Sequence, residues 1–488
     1  MSFKTILNKG KTTYKNLPIQ VKASVWFVIS TVLLKGISFI TVPIFTRLMS
    51  KEQYGLYSVY LTWGEVFAIL GTFGLESCAY LSVLTKFDEE DMEEAQISLL
   101  ELSFFITSIL MVAVLLFEKQ LSKLISIPWE FLVLMVLQIY FIPVLNFWST
   151  KKRFQYRYKS LVAVSILMSI FNAALGVFVV LNVSESMQAF GRAISIVSVQ
   201  AIFGILMLFL LLKDTQLRFS TRYWKWGVQV HLPLLPHTLS LKVLAGADRI
   251  MINTMIGATA TALYSVAYSI AIVVNLIKAS IVDALRPWMY SCIKEHRTEN
   301  MKSVINGVLL LISMLTLIFV AFAPEVIKIV APSDYYEAVY CMPPVMISSF
   351  FTFLYSIFSV VEIYFEETKK VMAASIAAAV LNIVLNAVFI KKFGYIAAAF
   401  TTLVCYISLS LFHYVMASIV MKKNDLNISF FDKKSILIIS ISLIGLMLLF
   451  ELFYTQTLLR YILLITIVVF LFVKRKYFVG LIKIIRKK

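Results

Sequence analysis

The sequence predicts an all-α polytopic membrane protein with about fourteen transmembrane helices. Hydrophobic residues make up 60% of its 488 residues and charged residues only 15%, against roughly 45–50% and about 25% in soluble domains. The mean hydropathy is +0.87. Apolar runs of roughly 17–25 residues, the length that crosses a bilayer, recur along the whole chain. Together these observations exclude a soluble globular domain, a disordered chain and a secreted domain built on disulfides.

The apolar runs define the individual helices. Each run is long enough to span the hydrocarbon core as a helix. We place them at 23–46, 53–74, 97–117, 129–148, 161–181, 193–212, 229–255, 260–285, 304–330, 339–365, 371–390, 395–420, 435–452 and 457–473.

The connections between these helices indicate the orientation in the membrane. With the N-terminus in the cytoplasm, about 32 Lys and Arg residues fall on the inner side and 9 on the outer side. Basic residues accumulate in cytoplasmic loops, so both termini are predicted to be cytoplasmic. The net charge of +18 then reflects membrane topology, and no nucleic-acid partner is expected. Acidic residues at 88–94 lie in one inner connection and are interpreted as a solvated helical loop rather than a partner-binding patch.

The chain contains an internal repeat of about 210 residues. Three short matches have nearly the same offset, 207 or 210, and they suggest that helices 1–6 were duplicated as helices 7–12. Six helices per repeat give two bundles that enter the membrane in the same direction, with substrate sites expected between parallel repeats. The matches are GLYSV at 55–59 with ALYSV at 262–266, Lys35 with Lys242, and Asn172 with Asn382.

The predicted organisation follows from the spans and the repeat. Helices 13 and 14 lie outside the duplication and are an appendage. The predicted parts are a cytoplasmic segment 1–22, a six-helix bundle 23–212, a cytoplasmic linker 213–228, a second six-helix bundle 229–420, two further helices within 435–473, and a basic cytoplasmic tail 474–488.

Four basic residues lie inside predicted membrane helices and away from the helix ends, where a charge costs at least about 2.5–3.5 kcal/mol. They are Lys35, Lys242, Arg249 and Lys278, and Lys35 and Lys242 are repeat-related. We expect them to line a water-filled cavity that receives an anionic group such as phosphate, which Lys and Arg bind well. The alternative is internal ion pairing, for example between Lys35 and Glu65.

Several acidic and amide residues at membrane depth are candidates for ion coupling, because buried acids often mark ion pathways. The alternative pairs the acids with neighbouring bases, as with Asp283 and Arg286. Paired asparagines one helical turn apart more often join helices than line a cation site. The candidates are Glu65, Asp248, Asp283, Asn382 and Asn386, and Glu362 is a further acid in helix 10.

The sequence contains no motif for catalysis, nucleotide binding or metal binding. It has no Walker loop, no HExxH and no GxSxG, and its four cysteines and four histidines lack metal-ligand spacing. We therefore predict no catalytic residues, no metal site and no cofactor.

Three parts of the sequence carry recognisable motifs: VPIFTRLMSKEQYGLY at 42–57, ADRIMIN at 247–253 followed by ALYSVAY at 262–268, and NIVLN at 382–386 followed by FGYIAAA at 393–399. The first resembles the first-helix signature of bacterial polysaccharide flippases, the Wzx-type O-antigen and capsule repeat-unit transporters of the MOP (MATE-like) superfamily. The second resembles the seventh-helix stretch of that family, and the third resembles its eleventh and twelfth helices. The likeness covers essentially the whole chain.

The resemblance implies two six-helix bundles in a MATE-like V that opens alternately to each side of the bacterial cytoplasmic membrane. It implies a flippase, not an enzyme, that carries an undecaprenyl-diphosphate-linked glycan to the outer leaflet. It also implies coupling to a Na⁺ or H⁺ gradient, and polymerase and chain-length proteins of the same pathway as partners. Fourteen helices exceed the family's usual twelve, which leaves a lipid-linked peptidoglycan precursor or a teichuronic-type glycan open as cargo.

Two alternatives stay open at this point. A cation-coupled multidrug antiporter of the same fold would have acids rather than lysines in its cavity, which disfavours it. A membrane polysaccharide polymerase or ligase would carry its reactive residues on a long outer loop, and every predicted outer loop is short.

Overall fold

The computed structural model describes residues 18–76, 78–213, 220–295, 299–424 and 431–475. Within these ranges the chain is almost entirely α-helical and has no β-strand, which confirms the predicted fold class. Parts of three predicted segments lie outside the described residues: 1–17 of the N-terminal segment, 214–219 of the linker and 476–488 of the tail.

Eighteen α-helices occur in the described ranges, and they are numbered here in chain order. Two short 3₁₀ helices, Glu185–Met187 and Ser333–Tyr340, lie between them. The α-helices are α1 Ile19–Leu48, α2 Lys51–Thr72, α3 Cys78–Lys86, α4 Glu89–Leu116, α5 Glu118–Ile125, α6 Trp129–Phe154, α7 Tyr158–Asn182, α8 Gln188–Leu212, α9 Thr221–His231, α10 Leu235–Met255, α11 Ala258–Lys294, α12 Glu299–Ala321, α13 Ala323–Val330, α14 Met342–Tyr364, α15 Thr368–Phe393, α16 Ile396–Lys423, α17 Lys433–Leu452 and α18 Thr457–Val473.

Each of the fourteen predicted spans overlaps one or two of these helices, so the protein is a multi-pass membrane protein. Eleven helices in the described ranges are long and apolar enough to cross a membrane. The other three predicted spans correspond to α2, α10 and α18. Helices α2 and α10 have 22 and 21 residues but contain charged residues, and α18 has 17. The count of fourteen is therefore approximate.

The described chain forms two compact units. The first contains the residues up to Ile44 together with Trp63–Leu235, and the second contains Phe45–Thr62 and the residues from Pro236 onward. These units differ from the predicted bundles 23–212 and 229–420 at both boundaries. Residues 45–62, expected in the first bundle, pack in the second unit.

Close contacts inside the second unit explain why residues 45–62 belong to it. The Thr46 hydroxyl donates a 2.9 Å hydrogen bond to the carbonyl oxygen of Val330. Gly55 lies so near α11 that a Cβ at this position would be 1.8 Å from the Ala258 carbonyl oxygen. Only a residue without a side chain allows this approach of two helices.

The predicted seventh helix, 229–255, is divided in the structure. Helix α9 ends at His231 and α10 begins at Leu235, with Pro233 between them, where proline cannot donate the backbone hydrogen bond that a continuous helix needs. Helix α9 packs on α3 and α4 in the first unit. Residues 221–228 of the predicted linker are therefore part of a docked helix.

A second helix break lies in the first unit, between α2 and α3. Phe73 and Gly74 both have positive φ, 51° and 64°, which ends the helical hydrogen-bond ladder. A Cβ on Gly74 would lie 2.6 Å from Nε2 of His231, so glycine is required where α9 ends against this break. In α3, which follows the break, the ring of Tyr80 stacks on the ring of Phe147 in the core of the unit, with 3.9 Å between the ring centroids.

The second unit is built around α14, which packs against α11, α12 and α16. The appended helices α17 and α18 pack on α12. Their attachment is polar at one end, where Arg460 forms an ion pair with Glu325 and Tyr461 donates a 2.9 Å hydrogen bond to the same carboxylate.

Helix boundaries repeat with the offsets seen in the sequence. Helices α1 and α10 end at residues 48 and 255, and α2 and α11 begin at 51 and 258, both 207 apart. Helices α4 and α12 begin at 89 and 299, and α7 and α15 begin at 158 and 368, both 210 apart. The two repeats of the chain therefore share one order of helices.

Candidate functional site

The carboxylate of Asp248 on α10 lies at the centre of a buried polar cluster in the second unit. The side chain of Asp248 is 1% exposed. Its Oδ2 accepts hydrogen bonds from the Tyr264 hydroxyl at 2.5 Å and the Thr402 hydroxyl at 2.6 Å. Its Oδ1 accepts from the amide nitrogens of Asn386 at 2.7 Å and Asn382 at 3.2 Å. Four neutral donors from α11, α15 and α16 thus converge on one carboxylate.

The donors around Asp248 also bond to one another. The amide of Asn386 donates to Oδ1 of Asn382 at 3.1 Å, and the amide of Asn382 donates to the Thr402 hydroxyl at 3.0 Å. Thr401 donates to Oδ1 of Asn386. Asn382 and Asn386 are one turn apart and so lie on one face of α15. Such a connected network holds the carboxylate in one position.

No basic side chain in the described residues forms an ion pair with Asp248. The neighbouring Arg249 lies with its guanidinium carbon 4.2 Å from the ring centroid of Tyr268, a cation–π contact. A buried carboxylate without a compensating charge is costly even when it is hydrogen-bonded. Among the described residues, the charge of Asp248 is therefore balanced by four neutral hydrogen-bond donors and by no ion pair.

The oxygen-rich surroundings of Asp248 suit a hard monovalent cation better than a transition metal. One carboxylate, two amides and three hydroxyls supply oxygen atoms without thiolate or imidazole. Among the described residues no group of three or more His, Cys, Asp or Glu side chains could hold a metal ion.

The structure brings together three of the five predicted ion-coupling residues. Asp248, Asn382 and Asn386 form the cluster. Glu65 lies on α2 in the first unit. Asp283 is exposed on α11, nineteen residues from the cluster residue Tyr264, about 28 Å along a helix.

The four predicted cationic residues are distributed over both units. Lys35 is exposed on α1 of the first unit, and Lys242 is exposed on α10 of the second. Arg249 and Lys278 are half-buried, on α10 and α11. Among the described residues there is no ion pair between Lys35 and Glu65 and none between Asp283 and Arg286.

Sequence reasoning missed the hydroxyl groups of this cluster. Tyr264 was noted only as part of the ALYSV repeat, and Thr401 and Thr402 were not singled out. The sequence does indicate that these hydroxyl groups matter, because hydroxyl-bearing residues inside an apolar helix usually face a polar partner. The sequence alone does not indicate that Asp248 is this partner.

A second buried polar pair in the same unit was also missed. His413 Nδ1 lies 2.8 Å from Oε1 of Glu362, and both side chains are fully buried. The pair joins α14 to α16. Tyr355 packs against it, with its ring centroid 5.5 Å from that of His413.

The sequence also matches the model of a known protein family. The model of the family described as "Polysaccharide biosynthesis protein" matches residues 21–293, more than half of the chain. Comparison with curated proteins gives no match.

Solved structures share the fold over most of the chain. The lipid II flippase MurJ in an inward closed conformation has a TM-score of 0.72 at 13% identity, covering 93% of this chain and 99% of that one. An outward-facing multidrug resistance MATE transporter of the MOP superfamily has a TM-score of 0.59 at 13% identity, with 85% and 98% covered. A MOP superfamily transporter from Pyrococcus furiosus has 0.53 at 12% identity, with 84% and 96% covered. At these identities the likeness establishes the fold and not the substrate.

Proposed function

The chain belongs to the polysaccharide biosynthesis protein family, and from that membership we propose that it flips a polyprenyl-diphosphate-linked oligosaccharide across the membrane. The cargo moves from the cytoplasmic to the outer leaflet of the bacterial inner membrane by alternating access. The protein acts as a transporter and not as an enzyme. Its pathway partners are a polymerase and chain-length proteins.

The observation that carries this proposal is the set of basic side chains inside membrane helices. Lys242, Arg249 and Lys278 lie on two adjacent helices of the second unit, and Lys35 lies on α1 of the first. An exposed charge at membrane depth is stable where it meets water or a counter-ion rather than lipid. A diphosphate supplies such a counter-ion, and point-charge contacts from lysine release it more readily than a rigid bidentate clamp.

Asp248 supplies the proposed coupling element. A sodium ion or a proton would neutralise its carboxylate, and half-turn rotations of the Asn382 and Asn386 amides would present both Oδ1 atoms to a bound sodium ion. Helix α10 carries Asp248 and also carries Lys242 and Arg249. Cation binding at Asp248 can therefore bias the position of the substrate-binding side chains.

Flipping of a fluorescent polyprenyl-diphosphate disaccharide in proteoliposomes tests the proposal, with an impermeant quencher reporting the exposed leaflet. Lys242→Ala should reduce the initial rate at least tenfold, and Lys242→Arg should retain part of it because the charge remains. The matched control is Lys294→Ala, which removes an exposed lysine at the end of α11 and should leave the rate unchanged.

Two outcomes would contradict the proposal. Normal flipping by a well-expressed Lys242→Ala variant would remove the role of the intramembrane cations. Wild-type protein that exports a lipophilic cation and moves no polyprenyl diphosphate would instead favour the multidrug antiporter.

A further inference from the structure

An open apolar groove of about 510 Å³ runs between α15 and α16 of the second unit. Its surface is almost entirely apolar, and several lining side chains are exposed, including Phe393 at 61% and Val404 at 47%. The lining side chains used below are Leu385, Phe389 and Phe393 of α15, with Ala397, Thr401 and Val404 of α16.

The length of the groove matches one leaflet of a bilayer. Leu385 and Phe393 are eight residues apart, about 12 Å along a helix. Half of a hydrocarbon core of roughly 30 Å is about 15 Å. The groove therefore accommodates the upper part of one acyl chain and does not extend across the membrane.

Two adjacent lysines lie at the mouth of the groove. Lys391 and Lys392 occupy the last turn of α15, both are exposed, and no acidic side chain in the described residues pairs with either. Lys392 Nζ lies 5.2 Å from the ring centroid of Phe393, a groove residue. The predicted topology puts this pair on the outer side, where basic residues are few. An apolar groove with two ammonium groups at its mouth, neither of them paired with an acidic side chain among the described residues, is complementary to an anionic lipid.

We propose that the groove binds one acyl chain of an anionic glycerophospholipid whose phosphate contacts Lys391 and Lys392. The deep end of the groove reaches Thr401, which donates to Asn386, and Asn386 donates to Asp248. A lipid seated here packs against both helices that supply the amide and hydroxyl partners of Asp248. It stabilises that pair of helices, whatever cargo the protein carries.

Binding of phosphatidylglycerol to the full-length protein in detergent, measured by native mass spectrometry, tests the proposal. Phosphatidylcholine with the same acyl chains is the comparison probe. Each lysine near a surface adds about 1 kcal/mol to anionic-lipid binding, so Lys391→Gln/Lys392→Gln should weaken phosphatidylglycerol binding about tenfold or more. Val404→Trp should fill the groove and abolish the tightest binding event.

The matched control is Lys433→Gln/Lys434→Gln, which removes two adjacent exposed lysines at the start of α17 and should leave the tightest event intact. Val404 is exposed, so its replacement leaves the core unchanged, and thermal unfolding checks this. Equal affinity for both probes, an unchanged affinity in Val404→Trp, or an equal loss in the control would overturn the proposal. Displacement of phosphatidylglycerol by a stoichiometric amount of undecaprenyl phosphate would assign the groove to a polyprenyl chain and overturn it as well.

Discussion

The guanidinium of Arg192 donates a 2.6 Å hydrogen bond to the side-chain oxygen of Asn172. In the second repeat, Thr402 corresponds to Arg192 and Asn382 corresponds to Asn172, each 210 residues later. The same offset separates the first residues of α7 and α15. In the first unit the asparagine binds a fixed cation. In the second unit it binds the carboxylate of Asp248. The repeat thus has an asparagine at the same place in both units, beside a guanidinium in the first and beside a carboxylate in the second.

Replacing Arg192 should destabilise the first unit. The side chain is 4% exposed, and Nη1 donates to the Asn172 carbonyl at 3.0 Å and to the Ser195 hydroxyl at 2.9 Å. Hydrogen bonds to charged groups contribute about 1.5–3 kcal/mol each, so Arg192→Ala should lower the thermal midpoint by several degrees. Lys159→Ala, an exposed change on α7, is the control. An unchanged midpoint in Arg192→Ala would contradict the structural role.

The burial of Arg192 could not be predicted from the hydropathy of the sequence. The predicted spans put Arg192 in the outer connection between 161–181 and 193–212, because an arginine lowers the hydropathy of a segment whether or not it finds a partner. In the structure Arg192 is buried in α8. The spans, the repeat offset and the shared face of Asn382 and Asn386 were predictable, since each depends on local spacing. The contact between Asp248 and Thr402 joins residues 154 apart and depends on tertiary packing, which periodicity does not report.

Impermeant thiol labelling should establish the orientation. The three cysteines at 292, 341 and 405 are buried, so a background with Cys78→Ala should label weakly. Lys86→Cys should stay unlabelled in intact cells, and Ser333→Cys should label, because the predicted topology puts these exposed positions on opposite sides. Labelling in the reverse sense would invert the proposed direction of flipping.

Asp248→Asn should remove the response of the protein to its coupling cation. Asparagine preserves the size of the side chain and removes the negative charge. Its Oδ1 can still accept from Asn382 and Asn386, and its amide nitrogen can donate to the Tyr264 and Thr402 hydroxyls in place of accepting from them. A ligand at one hundred times its Kd stabilises the folded state by about 2.7 kcal/mol, so sodium should raise the wild-type thermal midpoint relative to choline and leave the variant unchanged. A proton-coupled protein would show a response to pH in place of the sodium response.

The control for this measurement is Asp283→Asn, which removes an exposed carboxylate of the same unit and should retain the wild-type response. Equal responses of wild type and Asp248→Asn to sodium and to pH would exclude this carboxylate as the coupling site.

Glu362 and His413 should show strong coupling in a double-mutant cycle. Both side chains are fully buried, and removing one partner leaves the other polar group without its hydrogen bond, at a cost of about 1–3 kcal/mol. Replacing both by leucine removes the desolvation cost as well and should recover much of that loss. Unfolding by denaturant in detergent measures each variant. Additive effects of the two single changes would show that the pair is not a unit.

The attachment of α17 to α12 should weaken at low pH through Asp432. The Ser435 hydroxyl donates to Asp432 Oδ2 at 2.8 Å and Lys302 Nζ lies 3.3 Å away, which together lower the pKa of the Asp432 carboxyl below its ordinary value. A lowered folded-state pKa gives a stabilisation that is present above about pH 4 and is lost as the pH falls through the folded value.

Asp432→Asn should therefore reduce stability at pH 7 by about 1 kcal/mol or less, the usual range for a partly exposed ion pair. The difference from wild type should shrink towards zero as the pH falls through the lowered pKa of Asp432, because wild-type Asp432 then becomes neutral as well. Thermal unfolding across this pH range measures the difference, and Lys302→Gln should reproduce part of it. A difference between the two proteins that stays constant with pH would show that the Asp432 charge does not hold α17 in place.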